Sequence, residues 1–309
     1  MEKPGISVVI VSWNTKDITD KCLACMKKAV DFAKDVAATE VIVVENASSD
    51  GSPEMIAKKY PWVRMFPSGS DLGYGKGNNF GFRKVNPKNE YVLLLNNDAY
   101  VQKETLVKAL EFFESHADCD VLGCRLEYED GRFQPSAGYL PTPSSVWSWL
   151  WGLELIPLVG KLFSPFHPKD PNFFGKDRLV GWVMGAFVFM KREVFAKSKG
   201  FDENFFLYME EVEWCRRAKN AGSHIWYTPS FSITHVDKAS AKGDPKELAK
   251  IFRREILGFV YYMRKNYSRQ MYWVLPAIKV GIFIRLLIFS VLGNKMRQDA
   301  YLQTLKEIK

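Results

Sequence analysis

The chain has 309 residues, of which 47% are hydrophobic and 25% charged, as is typical of a globular protein with one large domain and an appendage. The net charge of +8 is unevenly spread, because the segment after residue 237 carries 15 Lys and Arg against five Asp and Glu. A basic tail on a nearly neutral body indicates an anionic partner, such as a membrane, a nucleic acid or an anionic substrate. A solvated basic face without a partner is the alternative.

The cysteines argue against a disulfide framework, because a chain of this length has an odd number, five. Cys22 and Cys25 fall in a predicted helix with no second Cys or His pair beside them, so reduced thiols are favoured over a zinc or redox site. The apolar run at the start is shorter than a secretion signal and no cleavage site follows it. A cytoplasmic location is therefore expected.

Apolar runs alternate with helical patterns through the first hundred residues. Strands are predicted at Ile6–Val11, Glu40–Glu45, Val63–Phe66 and Tyr91–Leu95, and a helix at Ile18–Phe32. This alternation predicts an α/β fold with a mostly parallel sheet, in which ligands bind at the carboxyl ends of the strands. The fourth strand ends there in Asn96, Asn97 and Asp98.

The second half mixes helices with shorter strands. Helices are predicted at Glu104–Glu114, Arg192–Lys197, Glu211–Ala221 and Pro245–Asn266. A hairpin is predicted from Val121–Tyr128 and the strand after "EDGR", one strand over Leu179–Met190, and one or two more in "SHIWYTPSFSITH". The segment between Pro141 and Pro171 is aromatic and Pro-interrupted, too broken for a spanning helix.

The apolar stretch Met271–Leu292 is expected to fall into short pieces, because Pro276, Lys279 and Arg285 interrupt it. The uncharged run after Arg285 is far shorter than the roughly 20 residues needed to span a bilayer. An amphipathic segment lying in the membrane interface is therefore expected, with a buried helical appendage or a dimer contact as the alternative. The cluster Trp147–Trp151 is a second candidate membrane contact.

Three acids, Glu210, Glu211 and Glu213, fall at the start of a predicted helix. The helix dipole favours acids there, and Glu213 has Arg216 and Arg217 as candidate ion-pair partners. The aromatic segment "FDENFFLYM" before them indicates apolar walls, which raise a carboxyl pKa and suit a general base. Both interpretations stay open on the residues alone.

Two further features depend on the fold. The Gly-rich "GYGKGNNFG" lacks the G-x-G-x-x-G spacing, so it indicates either a flexible loop before a helix or a backbone-lined substrate loop. His235, at the end of "FSITH", gains a functional interpretation only if the fold brings it to Asp98, since a cation bound to a diphosphate needs few protein ligands.

Six segments, in order, resemble the inverting glycosyltransferases of family 2, which have the GT-A fold, and their bacterial rhamnosyltransferase-like branch. The segments are "VVIVSWN", "VVENASSDGS", "DLGYGKGNNFG", "LLLNNDA", the stretch from "GWVMGAF" to "AKNAG", and "HVDKAS". The resemblance implies a Rossmann-like GT-A domain over 1–240, with a nucleotide-binding half (1–100) and an acceptor and catalytic half (101–240). A basic amphipathic helical tail, 241–309, would follow.

The resemblance also implies residue roles. Glu211 would be the catalytic base, and Asp98 and His235 would hold Mn²⁺ or Mg²⁺. The implied donor-binding residues are Ser12, Asn14, Glu45, Asn46, Asp50, Gly77, Asn78, Asn96 and Asn97. The implied acceptor or sugar residues are Trp182, Gly185, Ala186 and Glu210. Glu replaces the family's Asp at positions 45 and 211, which leaves Glu210 and Glu213 as alternative bases.

The implied activity is metal-dependent, inverting transfer of a sugar, with rhamnose favoured, from a dTDP- or UDP-linked donor. The acceptor would be a saccharide or a lipid-linked saccharide in cell-surface polysaccharide synthesis, at the inner face of the cell membrane. The alternatives are a UDP-hexose (galactosyl or glucosyl) transferase and a non-catalytic nucleotide-sugar-binding protein. Nucleic acid is disfavoured as a partner, because the basic excess lies in a tail rich in Leu, Ile and Phe; a homodimer is left open.

Overall fold

The computed structural model describes residues 3–151, 166–168, 170–205, 208–236 and 244–308, without the side chains of 146, 147, 149 and 150. The strands in these ranges are β1 (Gly5–Ser12), β2 (Ala38–Glu45), β3 (Arg64–Pro67), β4 (Tyr91–Asn96), β5 (Ala99–Tyr100), β6 (Val121–Glu127), β7 (Phe133–Gln134), β8 (Ala137–Gly138), β9 (Arg178–Leu179), β10 (Trp182–Val183), β11 (Phe187–Lys191) and β12 (Ile225–His235). The helices are α1 (Lys16–Ala33), α2 (Ser52–Lys59), α3 (Gly73–Phe82), α4 (Thr105–Ser115), α5 (Pro143–Trp151), α6 (Arg192–Lys197), α7 (Glu210–Asn220), α8 (Pro245–Asn266), α9 (Met271–Val291) and α10 (Lys295–Glu307).

The main sheet has the strand order β3-β2-β1-β4-β11-β6-β12-β5 within the described residues. The first four strands are parallel, β11 runs antiparallel to both β4 and β6, and β12 runs parallel to β6. The prediction of a mixed, mostly parallel sheet flanked by helices is confirmed. The short strands β8 and β10 form a separate antiparallel pair.

Successive residues of the central strands face different layers, which explains their unbroken apolar character. Val8 and Leu93 are fully buried in one core cluster together with residues of α1 and α4. Val9 and Leu94 belong to the other cluster, which includes residues of α6, α7 and α8. Both faces of β1 and β4 are therefore covered, and their polar ends lie at an edge of the sheet.

The Gly-rich segment is helix α3 itself, so its prediction as a loop was wrong. Gly77 packs against β1, where a Cβ atom would lie 2.9 Å from Cγ1 of Val11. A Cβ atom on Gly81 would lie 2.9 Å from Cγ2 of Val44 and closer still to Cγ1 of Val9. The glycines therefore let α3 approach the sheet closely, a role that only the tertiary contact reveals.

The predicted strand Leu179–Met190 is three short strands, each with a different neighbour. β9 pairs with β12, β10 pairs with β8, and β11 joins β4 in the main sheet. Gly181 marks one break, because its N–H donates to the carbonyl of Gly138 at 2.7 Å and a side chain there would meet the backbone of Leu140. The predicted β6–β7 hairpin is confirmed, with Leu126 opposite Gln134.

The apolar stretch near the carboxyl end is one continuous helix, α9, so the prediction of short pieces was wrong. Pro276 lies in its second turn, where the missing N–H removes one hydrogen bond and does not end the helix. Lys279 and Arg285 are half-buried within it. In the described part of the chain, Ser268–Val291 is one helix long and apolar enough to cross a membrane, by length and composition alone, with a mean hydropathy of 2.1.

The exposed side of α9 is apolar rather than amphipathic. Exposed side chains include Phe283, Leu287, Ile288 and Val291, whereas Ile278 and Ile282 are buried. The side chains of Trp147 and Trp149 lie outside the described residues, so the Trp cluster stays a prediction. The division of the chain at residue 240 also stays a prediction.

Candidate active site

A cavity of about 790 Å³ lies at the carboxyl ends of β1, β2 and β4 and beneath the start of α7. This volume lies within the range of small-molecule sites. Eleven residues predicted from the sequence line it: Asn46, Asn78, Asn96, Asn97, Asp98, Trp182, Gly185, Ala186, Glu210, Glu211 and His235. Residues from the two halves of the chain therefore meet in one site.

Strand pairing brings Asp98 to His235, although they are far apart in sequence. Asp98 lies between β4 and β5, and β5 pairs with the end of β12, with His235 opposite Ala99. The carbonyl of Asp98 accepts a hydrogen bond from the N–H of Val236 at 3.0 Å. As a result the Asp98 Oδ1 and His235 Nε2 atoms lie 3.3 Å apart, and both side chains are nearly buried.

The pair fits a divalent cation by its chemistry. Gln134, which is 3% exposed, lies with Oε1 3.0 Å from Nδ1 of His235. The Nδ1–H tautomer donates to this oxygen, and in that tautomer Nε2 faces the Asp98 carboxylate as an acceptor. Two acceptors at this distance suit a cation that both can bind. Within the described ranges no cluster of three or more His, Cys, Asp or Glu could hold a metal, so further ligands would come from a bound diphosphate or water.

Asn46 and Asn97 line the cavity, but their amides also hold its wall together. Asn46 donates to Asp71 at 2.8 Å and accepts from the N–H of Leu72 at 2.9 Å, which fixes the turn before α3. Asn97 donates to Thr15 Oγ1 at 2.5 Å, which ties the end of β4 to the start of α1.

Five of the residues predicted to bind the sugar donor are not among the residues that line the cavity. Ser12 and Asn14 bond to neighbouring segments, Ser12 to Thr19 and Asn14 to the loop after β2. Glu45 and Asp50 accept hydrogen bonds from backbone N–H groups, and Gly77 packs on the sheet. Four of these residues shape the loops after β1 and β2, Gly77 lies in α3, and the predicted contact of all five with the donor stays a prediction.

A strained turn sets the direction of the acidic helix. Tyr208 and Met209, both non-glycine residues, have φ angles of 72° and 73°, so two consecutive residues are left-handed immediately before α7. Such strain costs of order 1–3 kcal/mol per residue and is typical of functional sites. The turn places Glu210 and Glu211, the first residues of α7, in the cavity.

The carboxyl of Glu211 has a raised pKa, chiefly because burial disfavours its charge. Hydrogen bonds from the N–H groups of Val212 and Gly185 oppose this shift, and the charge of Glu255 adds to it. Tyr74 holds the Gly185 segment in place, since its hydroxyl donates to the Gly185 carbonyl at 2.9 Å. Glu211 is thus a carboxyl oriented by backbone donors and able to take a proton near neutral pH.

Glu210 is more deeply buried than Glu211, with 1% exposure. Its Oε2 atom has no hydrogen-bond partner in the described part of the chain. Burial and the neighbouring Glu211 charge both raise its pKa. Backbone N–H groups oppose the rise in pKa at both carboxyls, but the deeper burial and the unpartnered Oε2 atom favour the protonated form of Glu210.

Glu213 does not face the cavity. Its carboxylate accepts two hydrogen bonds of 2.9 Å from Nε of Arg217 and lies 2.7 Å from Lys265 Nζ. This arrangement matches the predicted i+4 ion pair, whereas Arg216 instead donates to the hydroxyls of Tyr262 and Tyr267. Because two cations engage this carboxylate and it lies outside the cavity lining, Glu211 is favoured over Glu213 as the base.

Several lining residues were missed by the sequence reasoning. Asp71 and Tyr74 lie in the quoted "DLGYGKGNNFG", so that motif was an available signal. Trp13 follows directly after β1 and is 41% exposed at the cavity. Gln134 and the α8 residues had no local signal, because only tertiary packing brings them to the site.

The fold is similar to that of a solved protein. A mannosyltransferase from Pyrobaculum calidifontis, solved in complex with GDP-Man and Mn²⁺, matches with a TM-score of 0.57 and 14% identity, covering 99% of this chain and 87% of that one. At this identity the likeness concerns the GT-A type of fold.

The chain belongs to the family described as Glycosyl transferase family 2, which matches residues 7–198. An N-acetylglucosaminyl-diphospho-decaprenol L-rhamnosyltransferase from Mycobacterium tuberculosis is 26% identical over 257 residues, covering 78% of each chain. Rhamnosyltransferase WbbL from Escherichia coli is 24% identical over 237 residues, covering 74% of this chain and 83% of that one. The resemblance seen in the sequence is confirmed, and the protein is a glycosyltransferase.

Proposed function

We propose that the protein transfers a sugar, with rhamnose favoured, from a nucleotide-sugar to a saccharide or lipid-linked acceptor with inversion. The observation that carries the proposal is one cavity that holds both the Asp98–His235 pair and the oriented carboxyl of Glu211. The two rhamnosyltransferase relatives favour rhamnose as the sugar. A single displacement needs one base and no covalent intermediate, and Glu211 would be that base.

On the donor side, Asp98 and His235 would hold Mn²⁺ or Mg²⁺, which supplies neutralising charge for the leaving nucleoside diphosphate. Asn96 lies beside this pair, with Nδ2 3.5 Å from Nε2 of His235, and its amide would bind polar groups of the nucleotide-sugar. Trp13 offers an aromatic face at the cavity for the base of the nucleotide.

On the acceptor side, the acceptor's hydroxyl oxygen bonds to the anomeric carbon as the nucleoside diphosphate leaves, and Glu211 takes the hydroxyl proton. The N–H groups of Gly185 and Val212 keep its carboxylate oriented for that transfer. Burial matters twice, because it raises the basicity of Glu211 and keeps bulk water away from the donor.

A panel of nucleotide-sugars tests the proposal, with dTDP-rhamnose, UDP-galactose, UDP-glucose and GDP-mannose screened for binding and hydrolysis with Mn²⁺ or Mg²⁺. We expect binding and slow, metal-dependent hydrolysis of dTDP-rhamnose above the others. Preference for UDP-galactose or UDP-glucose would show that the transferred sugar is that hexose and not rhamnose. Binding without hydrolysis or transfer would indicate a non-catalytic binding protein, and no binding at all would refute the proposal.

We further propose that α9 attaches the protein to the cytoplasmic face of a membrane. The exposed apolar side of α9 would enter the lipid, and the surrounding basic tail would meet anionic headgroups. Only 28% of the most apolar 18-residue window of Ser268–Val291 is buried against the protein, which leaves most of that window available to lipid.

Flotation with anionic liposomes checks this attachment. Leu287→Glu with Val291→Glu is expected to lower the partition coefficient about tenfold or more for each side chain withdrawn from lipid. Phe32→Glu, an exposed apolar residue on α1 that is 47% exposed, is the matched control and should bind normally. Equal flotation of all variants would exclude α9, and protein that resists carbonate extraction would indicate a span instead.

A further inference from the structure

The left-handed turn before α7 needs support from the elements packed against it. Tyr208 and Met209 both have a backbone conformation that residues other than glycine rarely adopt. Such a conformation persists only where the surrounding structure enforces it. The carbonyl of Met209 accepts a hydrogen bond from the N–H of Glu213 at 2.9 Å, but this bond lies on the helix side of the turn. Contacts from outside α7 therefore have to hold the other side.

Helix α8 packs directly on this turn through Gly258. A Cβ atom at position 258 would lie 2.9 Å from the carbonyl oxygen of Tyr208 and 3.4 Å from Cγ of Met209. Glycine lowers the stability of a helix interior relative to alanine, and Gly258 lies well inside the 22 residues of α8. The close approach to the backbone of Tyr208 explains why a glycine stands there.

Two more residues of α8, three and seven positions after Gly258, contact the segment that contains the turn. The ring of Tyr261 meets that of Phe205 edge to face, with centres 4.8 Å apart. Lys265 Nζ lies 2.6 Å from an Asp202 oxygen and 2.7 Å from a Glu213 oxygen. Lys265 therefore bridges the chain before the turn to helix α7 after it. Residues at this spacing share one face of a helix.

The same face of α8 continues to the cavity. Glu255, three positions before Gly258, lines the cavity together with Ile251. The charge of Glu255 is one cause of the raised pKa of Glu211. One face of α8 thus extends from the proposed base, past the turn that precedes it, to the ion pairs of Lys265.

We propose that Gly258 and Lys265 are positioning residues, which hold the turn of Tyr208 and Met209 and thereby direct the carboxyl of Glu211 toward the acceptor hydroxyl. Gly258 gives the turn room, and Lys265 closes the segment around it with two ionic contacts. The inference rests on the proposed function. It makes α8, which lies beyond the residues 7–198 that match the family, a part of the catalytic structure and not a separable membrane anchor.

Gly258→Ala tests the close approach, because the added methyl group does not fit without a shift of the turn or of the helix. We expect the single-turnover rate to fall about tenfold or more, with the Kd of the nucleotide-sugar within about twofold, since a small misplacement of a reacting group slows the chemical step. Val260→Ala is the matched control. It shortens a buried residue on the opposite face of α8 and should lower the Tm while leaving the rate unchanged.

Lys265→Met tests the bridge and should likewise lower the single-turnover rate about tenfold. Lys265→Arg, whose guanidinium can bind both carboxylates, should keep the rate of the unmodified protein. Deuterium exchange of the amides of residues 208–216, measured by mass spectrometry, follows the turn without relying on turnover. We expect faster exchange in Gly258→Ala and Lys265→Met and unchanged exchange in Val260→Ala and Lys265→Arg.

A rate in Gly258→Ala and Lys265→Met equal to that of Val260→Ala would overturn the positioning role, whether or not exchange becomes faster. If Gly258→Ala does not fold, the two Lys265 variants decide by the same measurements. Failure of the proposed function is distinguishable, because then the unmodified protein would bind no nucleotide-sugar, whereas amide exchange would still report whether α8 holds the turn.

Discussion

Glu211→Gln is expected to lower kcat at least ~10²-fold while leaving the Kd of the nucleotide-sugar within about twofold. The amide keeps the shape of the side chain and its place in the cavity, but it cannot take a proton. Single-turnover rates with the preferred donor, together with calorimetric donor binding, measure the two effects separately. Near-normal turnover in this variant would remove Glu211 from the role.

The pH profile of the unmodified protein gives an independent check. Glu211 works only when ionised, and burial raises its pKa above the ordinary value of 4.5. The acid limb of kcat/KM should therefore lie well above pH 4.5, with a slope of one proton, and activity should rise as pH increases through the raised pKa. A limb at or below pH 4.5 would contradict the buried environment of this carboxyl.

Glu210→Gln is the matched control, an identical change at the adjacent buried residue. Because the folded state raises the pKa of Glu210, the stability linked to its protonated form is complete at low pH and is lost as pH rises through that pKa. The variant should therefore have a higher Tm than the unmodified protein at pH 8 and a similar one at pH 5. Turnover should fall less than tenfold; a loss as large as that of Glu211→Gln would make Glu210 the base.

Asp98→Ala is expected to abolish the dependence of activity on Mn²⁺ or Mg²⁺ and to weaken Mn²⁺ binding beyond detection in the presence of nucleoside diphosphate. The carboxylate is the only strong anionic ligand beside His235 among the described residues, and neutral imidazole alone holds these hard cations poorly. Electron paramagnetic resonance of free Mn²⁺ measures binding without relying on turnover. Unchanged metal dependence of activity in Asp98→Ala would contradict the assignment of Asp98 as a metal ligand.

Gln134→Leu is expected to weaken Mn²⁺ binding less than Asp98→Ala does. The change leaves Asp98 Oδ1 and His235 Nε2 in place but removes the hydrogen bond that orients the His235 ring. Partners of this kind contribute about 10–100-fold to metal affinity, so Mn²⁺ should bind by that factor more weakly, with binding restored in part by Gln134→Glu. No change in Mn²⁺ affinity would show that the ring is oriented by packing alone.

The central strands could be predicted because their apolar runs are unbroken, and the structure extends each prediction by only a few residues. Helix α3 could not be predicted from the sequence, because glycine is a poor helix former and Gly77 and Gly81 serve the close contact with the sheet. Helix α9 was wrongly predicted as short pieces, because its sequence contains apparent interruptions. Pro276 and two charges look like interruptions in a linear sequence, but the helix tolerates all three.

The candidate site also contains residues that the sequence could predict and residues that it could not. Asp98, Glu211 and His235 stand in recognisable motifs, so the sequence could point to each of them. Their proximity required the strand order, which no local pattern contains. Motif reasoning could not find Gln134 and the α8 residues of the lining, because their positions depend on how the hairpin and the tail pack around the cavity.

The pairing of β12 with both β5 and β6 has a consequence for biosynthesis. Chains fold from the amino terminus as they leave the ribosome, so the nucleotide-binding strands emerge well before residue 235. Asp98 acquires its histidine neighbour only when the last strand of the sheet inserts, after Glu211 has also emerged. A nascent chain therefore cannot bring together Asp98 and His235, the proposed metal pair, before Glu211, the proposed base, has been made.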